Sequence, residues 1–463
     1  MGRMPKPSNE RLRALLGESG VSHKGLARRV VETGAARGVH GLAYDHSSVA
    51  RWLAGEQPRE PVPELVAGVL AGLLGRRVSM ADVGMAPSAV TADVGLTLAA
   101  TWAECVTAAT TLWRADLERR RFLMESAVAV SASSAVALHW LVSPPPGPPS
   151  RTGRRQVGES DVDAIQQVVR SYRELDNRLG GGRVRGSVVH YLNSDVAPML
   201  TESRFNAGIG ARLAAASAEL AQLAGWMAYD SGLHGHAQRY LTLALSFAQH
   251  AGNAGLGAEI LAAQAHQAVY LARPSEAVDL ARAAQATARR AGLPTLVAEC
   301  SVMEAHGHAV NKDARACARA LSDAEAAFGR AVRANDPVWL RYFDEAYLAA
   351  RIGHCFHALG EPGHAERYAR RSLHMDGRFV RGKAFNLSLL ATALAEQDDI
   401  EQACMVGRQA LDLAARLQSA RSVRYIKDLQ HALRQRADTA AVRAFNAQVA
   451  EHLPAASART ARR

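Results

Sequence analysis

The second half of this chain repeats itself every 40 residues. Ala218-Glu219, Ala258-Glu259 and Ala298-Glu299 share one step, and Ala237, Ala277 and Cys317 follow at the same interval. A period of this length implies stacked helical hairpins, because each hairpin has an apolar face that only a neighbouring copy can cover. Small residues recur where paired helices must cross. Gly225, Gly232, Ala237 and Ala244 mark the first unit, with Trp226 and Tyr229 between them. Ala265, Ala268, Ala277 and Ala284 mark a second, and Ala305, Cys317 and Ala324 a third. Gly353, Phe356, Gly360, Ala365 and Leu373 mark a fourth, and Ala391, Leu394, Ala403, Ala410 and Leu411 a fifth. The pattern approximates the tetratricopeptide repeat, whose usual step is about 34 residues. A step of 40 predicts longer helices or longer inter-repeat loops. Alanine alone can mimic such spacing, being the best helix former; the joint recurrence of Glu, Gly, aromatic and Ala positions favours a true repeat.

Little in the chain speaks for strands. Aromatic residues make up only 5%, and long Ala/Leu/Arg/Glu stretches carry apolar residues at i, i+3 and i+4. The expected fold is all-α, with 463 residues and 48% hydrophobic content enough for two or three domains. The expected division is a helix-turn-helix bundle over residues 1–86, connecting helices with a Pro-rich linker over 87–150, a tetratricopeptide-like α-solenoid over 151–453, and a basic tail over 454–463. Pro144 to Pro149 cannot be helical and read as a semi-rigid spacer between the first unit and the repeats.

The N-terminal segment carries the second signal. Asn9 to Gly17 reads as a helix with Leu12, Leu15 and Leu16 inward, followed by the turn Gly20-Val21-Ser22. Ser22 would cap a helix containing Leu26, Ala27 and Val30, which opens a helix-turn-helix. Asp45 or Ser47 would cap the next helix, Ser48 to Leu53, with Val49, Trp52 and Leu53 inward and His46, Ser47, Ser48 and Arg51 outward. In that motif the later helix presents its N-terminal residues to base edges in the major groove of double-stranded DNA. Arg51 could bond a guanine edge or a phosphate, Ser47 and Ser48 could reach phosphate oxygens or bases, and Arg28, Arg29 and Arg59 could contact the backbone. Residues 1–90 hold 12 Lys or Arg against 8 Asp or Glu, and the whole chain has a net charge of +11. Such a balance suits a polyanionic partner, although arginine also serves simply to solvate helix faces. The stretch Val31 to Tyr44 is long for a tight turn, so the second helix extends or a loop with Gly34, Gly38 and Gly41 makes its own contact.

In stacked hairpins the first helices line a concave face. The residue seven after each repeating glutamate is then expected there: Trp226, His266 and His306, with His354 at the matching place in the fourth unit. Glu219, Gln222, Glu259 and Glu299 lie one or two turns away, and Tyr229, Asp230, Tyr270 and His357 nearby. The set suits a groove for a peptide, a small anionic molecule or a partner protein. It makes a poor metal site, because successive repeats hold such side chains about 10 Å apart while zinc needs ligands at about 2.1 Å. The alternative is hydrogen bonding between repeats by buried His and Glu.

Other chemistry finds little support. Gly180-Gly181-Gly182 followed by Arg183 lacks the Gly-Lys-Ser/Thr ending of a phosphate loop and reads as a loop between helices. His354, Cys355 and His357 lack an acidic partner at suitable spacing, so no enzyme and no cofactor are expected. Cys105, Cys300, Cys317, Cys355 and Cys404 form no CxxC pair, as expected of reduced thiols in a cytoplasmic protein. Met1 to Glu10 is polar, with no signal peptide expected. Arg119-Arg120-Arg121-Phe122-Leu123 and the apolar run Met124 to Val142 imitate a twin-arginine export signal, but their internal position and weak hydrophobicity predict a buried or connecting helix and no membrane partner.

The order of these motifs, extended by Leu112-Trp113-Arg114-Ala115-Asp116, Val157-Gly158-Glu159-Ser160-Asp161, Leu175-Asp176-Asn177-Arg178 and Ala224-Gly225-Trp226-Met227-Ala228-Tyr229-Asp230, resembles actinobacterial helix-turn-helix regulators with a tetratricopeptide sensor domain. The resemblance runs over nearly the full chain and extends in plan to negative regulators of sporulation and antibiotic production in streptomycetes. It implies transcriptional control, a sensed effector and homodimers reading paired half-sites. A ligand in the groove would shift the repeats between two states and so change DNA reading. The competing expectation is a repeat-protein interaction scaffold that does not touch DNA.

Overall fold

A computed structural model describes residues 8–36, 39, 41–58, 61–76, 78, 80, 82–85, 94–117, 128–129 and 132–453. The fold is all-α and divides into two compact units, Met1–Asp93 and Val94–Arg463. The first contains α1 (Glu10–Ser19), α2 (His23–Ala36), α3 (His46–Leu53) and α4 (Val62–Leu74). Apolar residues three and four apart place one stripe of each helix in a shared core: Leu12 and Leu16, Leu26 and Val30, Val49 and Trp52, Val66 and Leu70. Asn9 caps α1 by accepting from the Leu12 N–H at 3.0 Å while its amide donates to the Val83 carbonyl at 3.0 Å. Ser22 Oγ accepts from the Gly25 N–H at 3.1 Å, as its capping role requires. The second helix runs on to Ala36, which accounts for much of the apparently long turn. Gly34 is buried there, and a Cβ on it would lie 2.5 Å from Leu42.

In the second unit, α5 (Trp102–Leu117) and α6 (Ala132–Val142) pack against the second helices of the first two hairpins. Trp113 stacks on Phe247 with ring centroids 6.3 Å apart, and Trp140 Nε1 donates to Thr287 Oγ1 at 3.1 Å. These helices therefore belong to the repeat unit, and the boundary falls at Asp93–Val94 instead of following a linker that ends at residue 150. The proline run lies inside this unit, where Pro149 is so close to Gly210 that a Cβ there would meet its carbonyl at 1.8 Å. Arg119 to Leu123 and the 454–463 tail lie outside the described residues. Among the described residues no helix is long and apolar enough to cross a membrane.

The glycine triplet differs from its expected loop. Only Gly180 breaks the chain, between α7 (Glu159–Leu179) and α8 (Gly181–Tyr191). It takes φ +83° against the Gln418 backbone, and a Cβ on Gly181 would meet the Met227 carbonyl at 2.7 Å. The glycines allow close helix approach, not phosphate binding. After α9 (Ala197–Thr201), a two-residue parallel pairing of Arg155–Gln156 with Ser203–Arg204 ties the segment down.

Among the described residues five hairpins follow: α10 (Ala207–Asp230) with α11 (His234–His250), α12 (Ala254–Tyr270) with α13 (Pro274–Arg290), α14 (Pro294–Val310) with α15 (Ala314–Gly329), α16 (Glu345–Leu359) with α17 (Pro362–Ser372), and α18 (Val380–Glu396) with α19 (Ile400–Ala414); α20 (Ala420–Ala432) then packs on α18 and α21 (Ala440–His452) on α19. The 40-residue step comes from 17-residue helices joined by three-residue turns. Long helices, not long loops, stretch the repeat. The register breaks after α15, where residues 330–344 form two 3-10 turns before α16 begins.

Candidate functional site

The first helices of the hairpins, with α7, surround a cavity of about 510 Å3 in the second unit. This volume is within the range of small-molecule sites. Gln222, Trp226, Glu259, His266, Glu299 and His354 line it as the repeat phase implies. Trp339 and Tyr342 from the 330–344 insertion, Arg351 and Tyr347 from α16, Phe385 from α18 and Arg421 and Tyr425 from α20 join them. Trp339 stands 40 residues after Glu299 and Tyr425 stands 40 after Phe385, but the register breaks at 330–344, so the glutamate-to-histidine phase of the first three units points to none of these added residues.

Two polar layers cross the cavity wall. In the first, the Tyr342 hydroxyl lies 2.8 Å from Glu259 Oε1 and 2.6 Å from Glu299 Oε1, and Gln222 donates to Glu259 at 3.2 Å. A hydroxyl has one proton to give. Burial and the neighbouring Glu259 push the Glu299 carboxyl well above the ordinary range. Burial also raises Glu259, with the Tyr342 hydrogen bond partly offsetting it. Both carboxyls are thus raised, and the two titrate as one pair. Glu219 stands apart, 3.9 Å from Arg173 and outside the cavity lining.

In the second layer, Arg351 donates to His266 Nε2 at 2.9 Å and to His306 Nδ1 at 2.7 Å. A guanidinium can only donate, so both ring nitrogens accept and both imidazoles are neutral. The proton of His266 then sits on Nδ1, 2.9 Å from the Tyr229 hydroxyl. Burial, reinforced by Arg351, holds His266, His306 and His354 well below the usual histidine value. The His306 and His354 rings stack at 5.9 Å, closer than the repeat rise suggests.

Several expected groove residues do other work. Asp230 is fully buried, accepting from the Gly181 N–H at 3.0 Å, Ser419 at 2.9 Å and Arg421 at 3.0 Å, with Arg381 at 3.4 Å. It ties α8, α18 and α20 to the first hairpin and does not line the cavity. Burial pushes its carboxyl up, but Arg381 and Arg421 outweigh this and hold it below the ordinary value. Asp176, 2.8 Å from Arg381, is instead raised by burial. Arg421 also lies over the rings of Trp226, Tyr229 and Phe385 at 5.0, 4.4 and 4.7 Å. Tyr229 and His306 are buried behind the wall, and Tyr270 packs edge-on against Tyr229 at 5.4 Å. His357 is half-buried beside Glu396 at 3.3 Å, in a separate depression with Asp398 and Arg436.

In the first unit, α3 turns Val49, Trp52 and Leu53 into the core and leaves His46, Ser47, Ala50 and Arg51 exposed. Asp45 is the cap. Its carboxylate accepts from the Ser48 N–H at 3.0 Å and from the Ser47 and Ser48 hydroxyls at 2.7 and 3.1 Å, bonds that lower it to about 2. Ser48, expected outward, is buried because its hydroxyl completes the capping box and receives Arg51 Nη2 at 3.3 Å. Arg28 and Arg29 are exposed on α2, Arg28 within 3.7 Å of Glu32. Arg59 lies outside the described residues.

Residues 12–86 match a family model described as the SP15 N-terminal domain, so the match is confined to the first unit. No curated protein and no solved structure matches the chain.

Proposed function

We propose that this chain is a DNA-binding transcription regulator whose repeat unit senses a small ligand. The observation that carries the reading is the division of labour between the two units. One is a small helical unit exposing His46, Ser47 and Arg51 on a short capped helix, and the other encloses a ligand-sized cavity among repeat helices. The net charge of +11 favours a polyanion as partner. Arg51 is the best base-reading candidate, since its guanidinium keeps free donors beyond its bond to Ser48. Ser47 would act only as an acceptor while its proton is held by Asp45. The ligand would act by binding one conformational state of the repeats more tightly than another, and a cytoplasmic homodimer would read paired half-sites.

Capture of sheared genomic DNA by the full chain tests this. Enrichment of a recurrent sequence that vanishes in Arg51→Ala is the expected result. Capture no better than background, with the chain intact, would replace the regulator by an interaction scaffold.

A further inference from the structure

Arg351 is 5% exposed, lines the cavity and has no carboxylate within 4 Å among the described residues. Its partners are two neutral imidazoles and the Met303 sulfur at 3.6 Å, and its Nε has none. Three other arginines of the same wall are matched. Arg381 meets Asp176 at 2.8 Å, Arg421 meets Asp230 at 3.0 Å, and Arg173 lies 3.9 Å from Glu219. A guanidinium does not give up its proton in proteins, so burying one without a counterion is costly. Protonation cannot relieve the site either, because a second charge on His266 or His306 would face Arg351 directly.

The closest acidic groups along these helices do not neutralise it. Glu259 and Glu299 precede His266 and His306 by seven residues, which is about 10 Å along a helix. Both bond Tyr342 and burial raises both carboxyls; Arg351 lowers Glu299 only in part, acting from a layer away. Around Arg351 the wall is largely apolar: Trp226, Met303, Trp339, Tyr347 and Phe385.

Resting on the reading of this cavity as an effector site, we infer that it binds a small amphiphilic carboxylate, its anionic head on Arg351 and its apolar body along those rings. Of the five guanidinium donors, the bonds to His266, His306 and Met303 take three, leaving the Nε–H and one on Nη1. One buried guanidinium charge without a carboxylate partner matches a monoanion. A phosphate dianion would need a second buried cation without a counterion; Arg173, Arg381 and Arg421 are matched, and Arg170 and Arg341, which line the cavity without a carboxylate partner among the described residues, are exposed to solvent.

The test uses four probes with a common aryl body: 3-phenylpropionate, 3-phenylpropanamide, 3-phenylpropylamine and 2-phenylethylphosphonate. Each is titrated into the full chain and followed by calorimetry and tryptophan fluorescence, with Trp226 and Trp339 as reporters. The carboxylate should bind at least tenfold more tightly than the amide and the phosphonate, and the amine should not bind. Arg351→Met should abolish the preference for carboxylate over amide. Should that variant fail to fold, the wild-type ranking and Arg351→Lys, which keeps charge but weakens carboxylate binding, still decide. Absence of carboxylate binding at millimolar concentration, or amide or phosphonate binding as tight as carboxylate, would overturn the assignment. DNA capture is read separately. A chain that captures DNA but ignores the probes loses the ligand class alone, and one that binds the carboxylate but no DNA loses the regulator reading alone.

Discussion

Asp230 and Arg351 mark the limits of residue-level reading. Both are buried and polar, yet the first is satisfied from four sides and the second lacks a counterion. The repeat phase located Gln222, Trp226, Glu259, His266, Glu299 and His354 on the cavity wall, because a fixed phase on stacked helices is a fixed direction. It misassigned Asp230, which follows the same helix but turns toward Arg381 and Arg421. Those partners lie some 150 and 190 residues further on, too far for any local pattern to reveal. Asp230→Ala strands the buried Arg421 guanidinium, leaves Arg381 with Asp176 alone, and should cost about 3 kcal/mol or more in urea denaturation; a loss under about 1 kcal/mol would remove its structural role. The buried histidines set a pH dependence. Their folded values lie below the unfolded 6.5. The unfolded chain therefore takes up more protons as pH falls through 6.5, and stability is lost on the acid side. Each histidine contributes up to about 1.4 kcal/mol per pH unit there. Urea titrations at pH 7.5 and 5.5 should show this loss, reduced in His306→Gln; an unchanged slope in that variant would contradict the assignment. The Glu299 carboxyl acts oppositely. Its folded value is raised, so its contribution is complete at low pH and declines as pH rises above about 4.5.

At the level of elements, the sequence was legible wherever the helices were regular. Two 17-residue helices and two three-residue turns make the 40-residue step, and the small residues fall where those helices cross. The insertion at 330–344 and the last two helices were not legible. The first has no helical periodicity, and α20 and α21 have no glycine and do not keep the alanine spacing of the earlier units. The turns themselves share a device. Gly252, Ala272, Gly292 and Lys312 occupy the same turn position with φ of +65°, +55°, +67° and +62°. The left-handed region strains a residue with a Cβ. Ala272→Gly and Lys312→Gly should each raise stability by about 0.5–1 kcal/mol, net of the entropy glycine adds to the unfolded chain. Lower melting temperatures in both variants would refute the turn account. Gly257 faces the opposite constraint, since a Cβ there would lie 2.2 Å from the Trp140 ring. Gly257→Ala should displace α6 and cost about 1–3 kcal/mol, read by thermal melting; an unchanged melting temperature would show that α6 docks loosely.

The whole molecule combines a small N-terminal helical unit with a long repeat unit, and the sequence conveyed both. It ended the first unit at residue 86 but began the repeat unit only at 151, because the segment after Val94 looks like a connector, although Trp113 and Trp140 bury it among the repeats. It also turned Ser48 outward on helical phase alone, before the capping box with Asp45 was visible. What remains exposed on α3 is His46, Ser47, Ala50 and Arg51, and on that face the regulator reading stands or falls. The most direct measurement is a fluorescence-anisotropy titration of the full chain on a captured genomic fragment across a series of salt concentrations. Log affinity should fall linearly with log salt, Arg51→Ala should weaken binding at least tenfold, and unrelated DNA should bind more weakly than the captured fragment. Affinity untouched by Arg51→Ala, or no binding at the lowest salt, would contradict the regulator reading.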